Sequence, residues 1–221
     1  MLNETQMWAI FDGTIMTIEI ALVAIVIGAI FGIIVALGRI SKNKILNALS
    51  WFYIWFFRGT PLLLQLFMIY FAFPIIYLEV TGSTFEIDAR VCAFITFSLN
   101  STAYLAEIIR AGIESIDKGQ MEAAQALGMN YSQAMRKIII PQTFKRLVAP
   151  VGNELIMLLK DTSLVSTIAL FDLLRTVKTM ASSTGNWIYY IYAAVIYLFL
   201  TTILQIVFDK MESKLGVYEK R

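Results

Sequence analysis

The chain contains no histidine, so no imidazole serves here as base, proton shuttle or metal ligand. Its single cysteine, Cys92, cannot close an internal disulfide and cannot build a zinc site alone. Cys92 stands in an apolar run with Val91, Ala93 and Phe94, which reads as packing rather than as a reactive thiol. Charge is scarce: 15% of the 221 residues are Asp, Glu, Lys or Arg, where soluble domains carry about 25%. The net charge of +2 is too small to suggest nucleic acid as a partner. No G-x-x-x-x-G-K-[ST] phosphate loop is present, which excludes ATP binding by that route. Residues 1–13 hold no Lys or Arg, so the positive region of a cleavable signal peptide is missing.

Apolar residues make up 58% of the chain. A soluble domain of this size has too little interior to hide that much apolar surface, which leaves a membrane as the solvent. A hydrocarbon core needs about 20 apolar residues per helix. The pattern predicts an all-α integral membrane protein, a single transmembrane domain over 1–221 with five crossings near 14–38, 46–77, 89–112, 147–171 and 187–208. Within the second, Trp51, Phe52, Tyr53, Trp55, Phe56 and Phe57 suit the headgroup zone, so the main crossing runs from about Gly59 to Tyr77. The fourth is interrupted by Glu154, Lys160 and Asp161. Gly28 and Gly32, four apart, either admit a close helix neighbour or simply face lipid. Residues 170–180 suit a short helix lying along the outer surface, with Ser182 to Asn186 as an external turn.

Positive charge orients the crossings. Arg39, Lys42 and Lys44 follow the first, Arg110 to Arg146 includes six Lys or Arg, and the tail carries Lys210, Lys214, Lys220 and Arg221. The opposite side holds only Arg90, Arg175 and Lys178. The N-terminus is therefore expected outside and the C-terminus in the cytoplasm.

The segment 114–146 is expected on the cytoplasmic side as a pair of short helices. The first covers about Gly119 to Leu127, with Glu122 in its first turn, and stops at Gly128. The second covers about Tyr131 to Ile139 and ends at Pro141. The small side chains of Ala123 and Ala124 let a partner surface approach closely. The string Glu122-Ala123-Ala124, Gly128, Ile138 and Pro141 resembles the E-A-A-x3-G-x9-I-x-L-P signature of ATP-binding cassette importer permeases, with Ile140 in place of the usual leucine. Further strings resemble the polar amino acid branch of that family, of the histidine, glutamine, arginine and cystine type. They are R-G-T-P at 58–61, L-N-S at 99–101, A-E-I-I-R-A-G at 106–112, G-N at 152–153 and K-D-T-S-L at 160–164.

That resemblance spans roughly residues 10–215 and implies much about function. The chain would be the multi-pass permease subunit of an importer in a bacterial cytoplasmic membrane. It would translocate a polar amino acid delivered by an extracytoplasmic binding protein. ATP hydrolysis would lie in a separate cytoplasmic ATPase subunit dimer, coupled through Glu122, Ala123, Ala124, Gly128, Ile138 and Pro141. A second permease copy or a paralogue would complete the path within the lipid. No cofactor, metal or catalytic residue is implied. A rival reading is an ion-coupled secondary amino acid transporter using Glu107 and Asp161; another is a membrane anchor that transports nothing.

Polar groups at membrane depth cost energy, so each one marks a pathway or a partner. Arg58 and Gln65, Asn100 and Glu107, and Glu154 and Asp161 each stand seven apart, which puts each pair on one helix face. A zwitterionic amino acid needs a cation near its carboxylate and carboxylates or carbonyls near its ammonium. The substrate-binding candidates are Asn100, Glu107, Asp161 and Thr60, followed by Arg58, Gln65 and Ser163. Each has a plainer alternative. Arg58 is equally an interfacial anchor, Glu107 pairs with Arg110 at i,i+3 spacing, and Asn100 hydrogen-bonds a neighbouring helix. Glu154 is read as an inner-interface residue and a weak candidate. Pro61 leaves the Phe57 carbonyl without its intrahelical partner, which makes either a kink or a backbone contact for substrate.

Overall fold

A computed structural model describes residues 2–215, all helix and connecting turns with no strand among them. Lys220 and Arg221, counted above for orientation, lie outside the described residues. Asn3 opens helix α1 (Glu4–Ile40) by accepting from the Gln6 N–H, and the Gln6 side chain returns the bond. Helix α2 (Lys44–Gly59) is capped by Asn43, and α3 (Leu62–Thr81) follows a break at Thr60 and Pro61. Helix α4 (Ala89–Glu114) begins on the Asp88 cap. Two short helices, α5 (Lys118–Ala126) and α6 (Tyr131–Ala134), lead into α7 (Ile140–Asp161). A 3-10 segment (Thr162–Ile168), α8 (Leu173–Thr184) and α9 (Ile188–Lys214) complete the chain.

Among the described residues α1, α3, α4 and α9 are long and apolar enough to cross a membrane. The expected crossing at 147–171 is helical to Asp161 and 3-10 to Ile168, and its charges keep it from meeting the same measure. Helix α4 is the centre: 61% of its apolar window is buried, against 6% for α9. Its main partner is α1. A Cβ on Gly28 would stand 2.6 Å from Ser101 Oγ, and one on Gly32 would stand 3.1 Å from Leu105 Cβ. Small residues thus let the two backbones approach until van der Waals contact holds them, the chief attraction available within lipid. The remaining apolar surface, such as Ile30, Phe31 and Ile34 on α1 and Leu198 and Phe199 on α9, is exposed.

Two prolines reveal how helices here tolerate a missing donor. Pro141 was expected to end its helix, yet the run continues from Tyr131 to Asp161 through a π turn at Met135–Ile139. The Ile140 N–H donates to Met135 O, five residues back, so the ladder widens just before the proline. Pro74 repeats the device: the Phe73 N–H donates to Met68 O across the π turn Met68–Ala72.

The short helix expected over 170–180 falls at α8 and buries Leu173, Val177 and Ala181. Asp172, fully buried, caps it by accepting from the Leu174 and Arg175 N–H groups at 3.1 and 2.8 Å. Burial pushes the Asp172 carboxyl up to about 6, against the pull of those N–H groups. Helix α8 runs to Thr184, so the expected turn begins only at Gly185.

Candidate functional site

The site is built around the break between α2 and α3. Pro61 has no N–H and sits in extended backbone, as does Thr60, so α2 stops at Gly59 and its last carbonyls lose their ladder partners. Gln65 repairs the gap. Its Nε2 lies 2.8 Å from Phe57 O, 3.0 Å from Thr60 O and 2.8 Å from Thr60 Oγ1. Asn100 on α4 adds Nδ2 at 3.3 Å from Phe57 O and 3.0 Å from Gln65 Oε1. The Thr60 hydroxyl donates back to Phe56 O at 2.8 Å. The break is therefore held in shape rather than left loose.

Beside it opens a cavity of about 490 Å³ lined by Arg58, Thr60, Asn100, Tyr104, Glu154 and Asp161. Four sequence candidates, Thr60, Asn100, Asp161 and Arg58, thus meet on one wall system. Glu154, read as an interface residue, is buried and belongs to the same wall seven residues before Asp161. Tyr104 had not been singled out; its position four residues after Asn100 on α4 was the available signal.

Three candidates stand elsewhere. Gln65 is buried behind the break, and it does not share a helix face with Arg58 because Pro61 separates the two helices. Ser163 begins the second residue of the 3-10 segment and is not on the cavity wall, where Leu164 stands instead. Glu107 lines a second cavity of about 490 Å³ with Arg39, Trp51, Arg58, Tyr104 and Arg110. There it pairs with Arg110, whose Nε reaches Glu107 Oε2 at 2.9 Å, as the plainer reading held. Arg58 lies 3.9 Å from Glu107 Oε1, and its guanidinium sits 5.3 Å from the centre of the Tyr104 ring. Lys160 and Asp161 form no ion pair.

The segment 114–146 folds as a hairpin. Asp117 Oδ1 accepts from the Gly119 N–H, so Asp117 meets the positive end of α5 and Glu122 stands one residue past the first turn. Gly128 adopts φ +84°, and the Met129 N–H returns to Ala124 O at 3.1 Å to close the helix end. Ala124 is buried inside the hairpin, so of the two alanines only Ala123 faces outward, beside exposed Glu122. Pro141 is exposed and Ile138 half-buried. Leu127 at the tip is 83% exposed, a residue that sequence reading had not picked out. The described residues include no group of His, Cys, Asp and Glu able to hold a metal ion.

Comparison with known proteins gives a consistent result. Residues 28–217 match the family described as "Binding-protein-dependent transport system inner membrane component". The chain is 41% identical over 207 residues to the arginine transport system permease protein ArtQ of Bacillus subtilis, covering 93% of this chain and 92% of that one. It is 38% identical over 209 residues to a putative glutamine transport system permease protein, GlnP, of Rickettsia bellii, covering 94% and 93%. Among solved structures, an amino acid ABC transporter crystallised with histidines matches with a TM-score of 0.86 at 36% identity, covering 97% of this chain and 99% of that one. The MetNI methionine ABC transporter matches in fold, with a TM-score of 0.78 at 20% identity.

Proposed function

Since the chain belongs to the family of binding-protein-dependent transport system inner membrane components, we propose that it is the membrane permease subunit of an ATP-driven polar amino acid importer. The chain itself is not an enzyme; hydrolysis belongs to a separate ATPase subunit. The observation that carries the substrate assignment is the cavity beside the α2–α3 break. Its wall combines the Glu154 and Asp161 carboxylates, the Asn100 amide and the Arg58 guanidinium. That set complements a zwitterion: carboxylates face an ammonium, and a guanidinium faces a carboxylate. The broken helix beside it is the usual device of transporters at the membrane midplane. Asn100, Asp161, Thr60 and Arg58 are the contacts we assign, with Glu154 added to them.

The topology follows from the same reading. Five crossings, the fourth formed by α7 with its 3-10 extension, leave the N-terminus outside and the C-terminus in the cytoplasm of a bacterial inner membrane. The hairpin 114–146 then lies inside, where exposed Glu122, Ala123 and Leu127 offer a knob to an ATPase groove, and the left-handed Gly128 shapes its tip. A second permease copy or a paralogue faces the exposed apolar flanks, and an extracytoplasmic binding protein delivers the substrate. The test is purification in mild detergent followed by reconstitution with the ATPase and binding protein found alongside. Hydrolysis stimulated by a loaded binding protein is expected. Uptake by this chain alone on an ion gradient, without ATP, would reverse the assignment.

A further inference from the structure

Arg58, Gly59 and Tyr104 line both cavities, so the two are neighbours across a single layer of residues. Their charges are opposite. The first sets Glu154 and Asp161 against Arg58; the second sets Arg39, Arg58 and Arg110 against Glu107. Arg110 is satisfied by Glu107 and by Glu114. Among the described residues the one carboxylate within 4 Å of Arg58 is Glu107, at 3.9 Å. Arg39 has no carboxylate within 4 Å among the described residues and donates one bond, at 2.9 Å, to the neutral Asn47 Oδ1. A guanidinium carries five donors in a planar fork that fits a carboxylate edge. Three guanidinia against two carboxylates therefore leave a surplus cation beside the cavity, a state that an incoming anion relieves.

We propose that this second cavity is a subsite for the α-carboxylate of the transported amino acid, which crosses carboxylate first with its ammonium trailing against Glu154 and Asp161. The proposal rests on the importer reading above. Arg58 stands on both walls and passes the carboxylate from one cavity to the next, while Arg39 and Arg110 receive it. An inner-leaflet phosphate would satisfy the same guanidinia. The wall shared with the first cavity favours the carboxylate.

Arg39 lines only the second cavity, so it isolates the proposal. The permease purified with its ATPase subunits, without binding protein, is titrated with radiolabelled L-arginine and with agmatine, the same cation lacking the carboxylate. Arg39→Gln is expected to weaken L-arginine binding by about tenfold, the loss of one charge-assisted contact, and to leave agmatine unchanged. Arg39→Lys should restore part of the loss. Because Arg39 also ties α1 to Asn47, the thermal midpoint of each variant is followed. Should Arg39→Gln unfold, Arg39→Lys decides, since it keeps a donor for Asn47 but loses the planar fork: weaker L-arginine binding with agmatine unchanged is expected, and unchanged affinity for both ligands overturns the proposal. An Arg39→Gln variant that affects both ligands alike, or neither, also overturns it. So does one that sheds co-purifying phosphatidylglycerol while binding L-arginine normally. If Glu154→Gln and Asp161→Asn weaken L-arginine and Arg39→Gln does not, only the second subsite is lost. If none of the three matters, the importer site itself is wrong.

Discussion

Asn100 donates its side-chain amide to Gln65 Oε1 at 3.0 Å, and through that bond α4 holds the first turn of α3 against the stub of α2. Both residues looked like substrate contacts in the sequence. The bond divides the roles: Gln65 is buried and spends its own amide on the backbone of Phe57 and Thr60, while Asn100 also reaches the cavity wall.

Gln65→Leu should therefore act through structure. It leaves Thr60 O without its amide donor and Phe57 O with only the longer Asn100 bond, and an unsatisfied buried polar group costs about 1–3 kcal/mol. The expected result is a lower thermal unfolding midpoint in detergent, with transport reduced in step. A Gln65→Leu protein that melts like the wild type but no longer binds substrate would return Gln65 to the contact list.

The α1–α4 contact predicts a second outcome. A methyl group on Gly28 would meet Ser101 Oγ at 2.6 Å and Ser101 Cβ at 2.9 Å, so Gly28→Ala must push the helices apart. Overpacking of this kind costs about 1–3 kcal/mol, more than the roughly 1 kcal/mol that alanine gains over glycine in helix propensity. Gly28→Ala should lower the midpoint, and adding Ser101→Gly should recover much of it. Additive losses in that double-mutant cycle would mean that the two positions do not touch.

Much of this was legible because it depended on local covalent facts. Proline has no N–H, so the break at Pro61 and the orphaned Phe57 carbonyl follow from one residue. Gly28 and Gly32 stand four apart, which suits a close approach and a lipid-facing stripe equally; the structure supplies Ser101 and Leu105 as the neighbours that decide it. Other features depend on the path of the chain. The seven-residue spacing of Arg58 and Gln65 means a shared face only if the helix is continuous, and Pro61 cancels that. Pro141 signals a helix end unless a π turn widens the ladder ahead of it, and nothing in the residues 135–139 announces one. A headgroup-facing carboxylate and one on a cavity wall share the same sequence signature, and for Glu154 the fold decides for the wall.

Asp172 makes stability depend on pH. Its carboxyl is raised to about 6 in the fold, against about 3.9 in an unfolded chain. Between those values the folded protein holds more protons than the unfolded one, so stability falls as pH rises from about 4 to about 6 and then levels off. Asp172→Asn removes the charge and, like the protonated acid, keeps one carbonyl oxygen for the Arg175 N–H, while its Nδ2 takes the place of the oxygen that accepts from the Leu174 N–H. The variant should be the more stable protein at pH 7, by up to about 3 kcal/mol, and equal to the parent near pH 4. Midpoints measured at both values check this; a difference that is the same at pH 4 and pH 7 would remove the carboxyl as its source.

The hairpin tip separates transport from folding. Leu127 is 83% exposed, so Leu127→Glu should change stability by no more than about 0.5 kcal/mol, as for other surface changes. If the tip seats in an ATPase groove, burying a leucine of that size is worth about 1.5–3 kcal/mol, and a glutamate there brings an unpaired charge into the contact. Retention of the ATPase on affinity-purified permease should then fall by at least about tenfold, and uptake in reconstituted vesicles with it. Gly128→Val attacks the same tip by another route, since a β-branched residue resists φ +84° and turns the knob out of register. Substrate binding at the site proposed beside the α2–α3 break should survive in both variants, because neither residue lines that cavity. A Leu127→Glu protein that keeps its full ATPase complement and full uptake would move the coupling surface away from this hairpin.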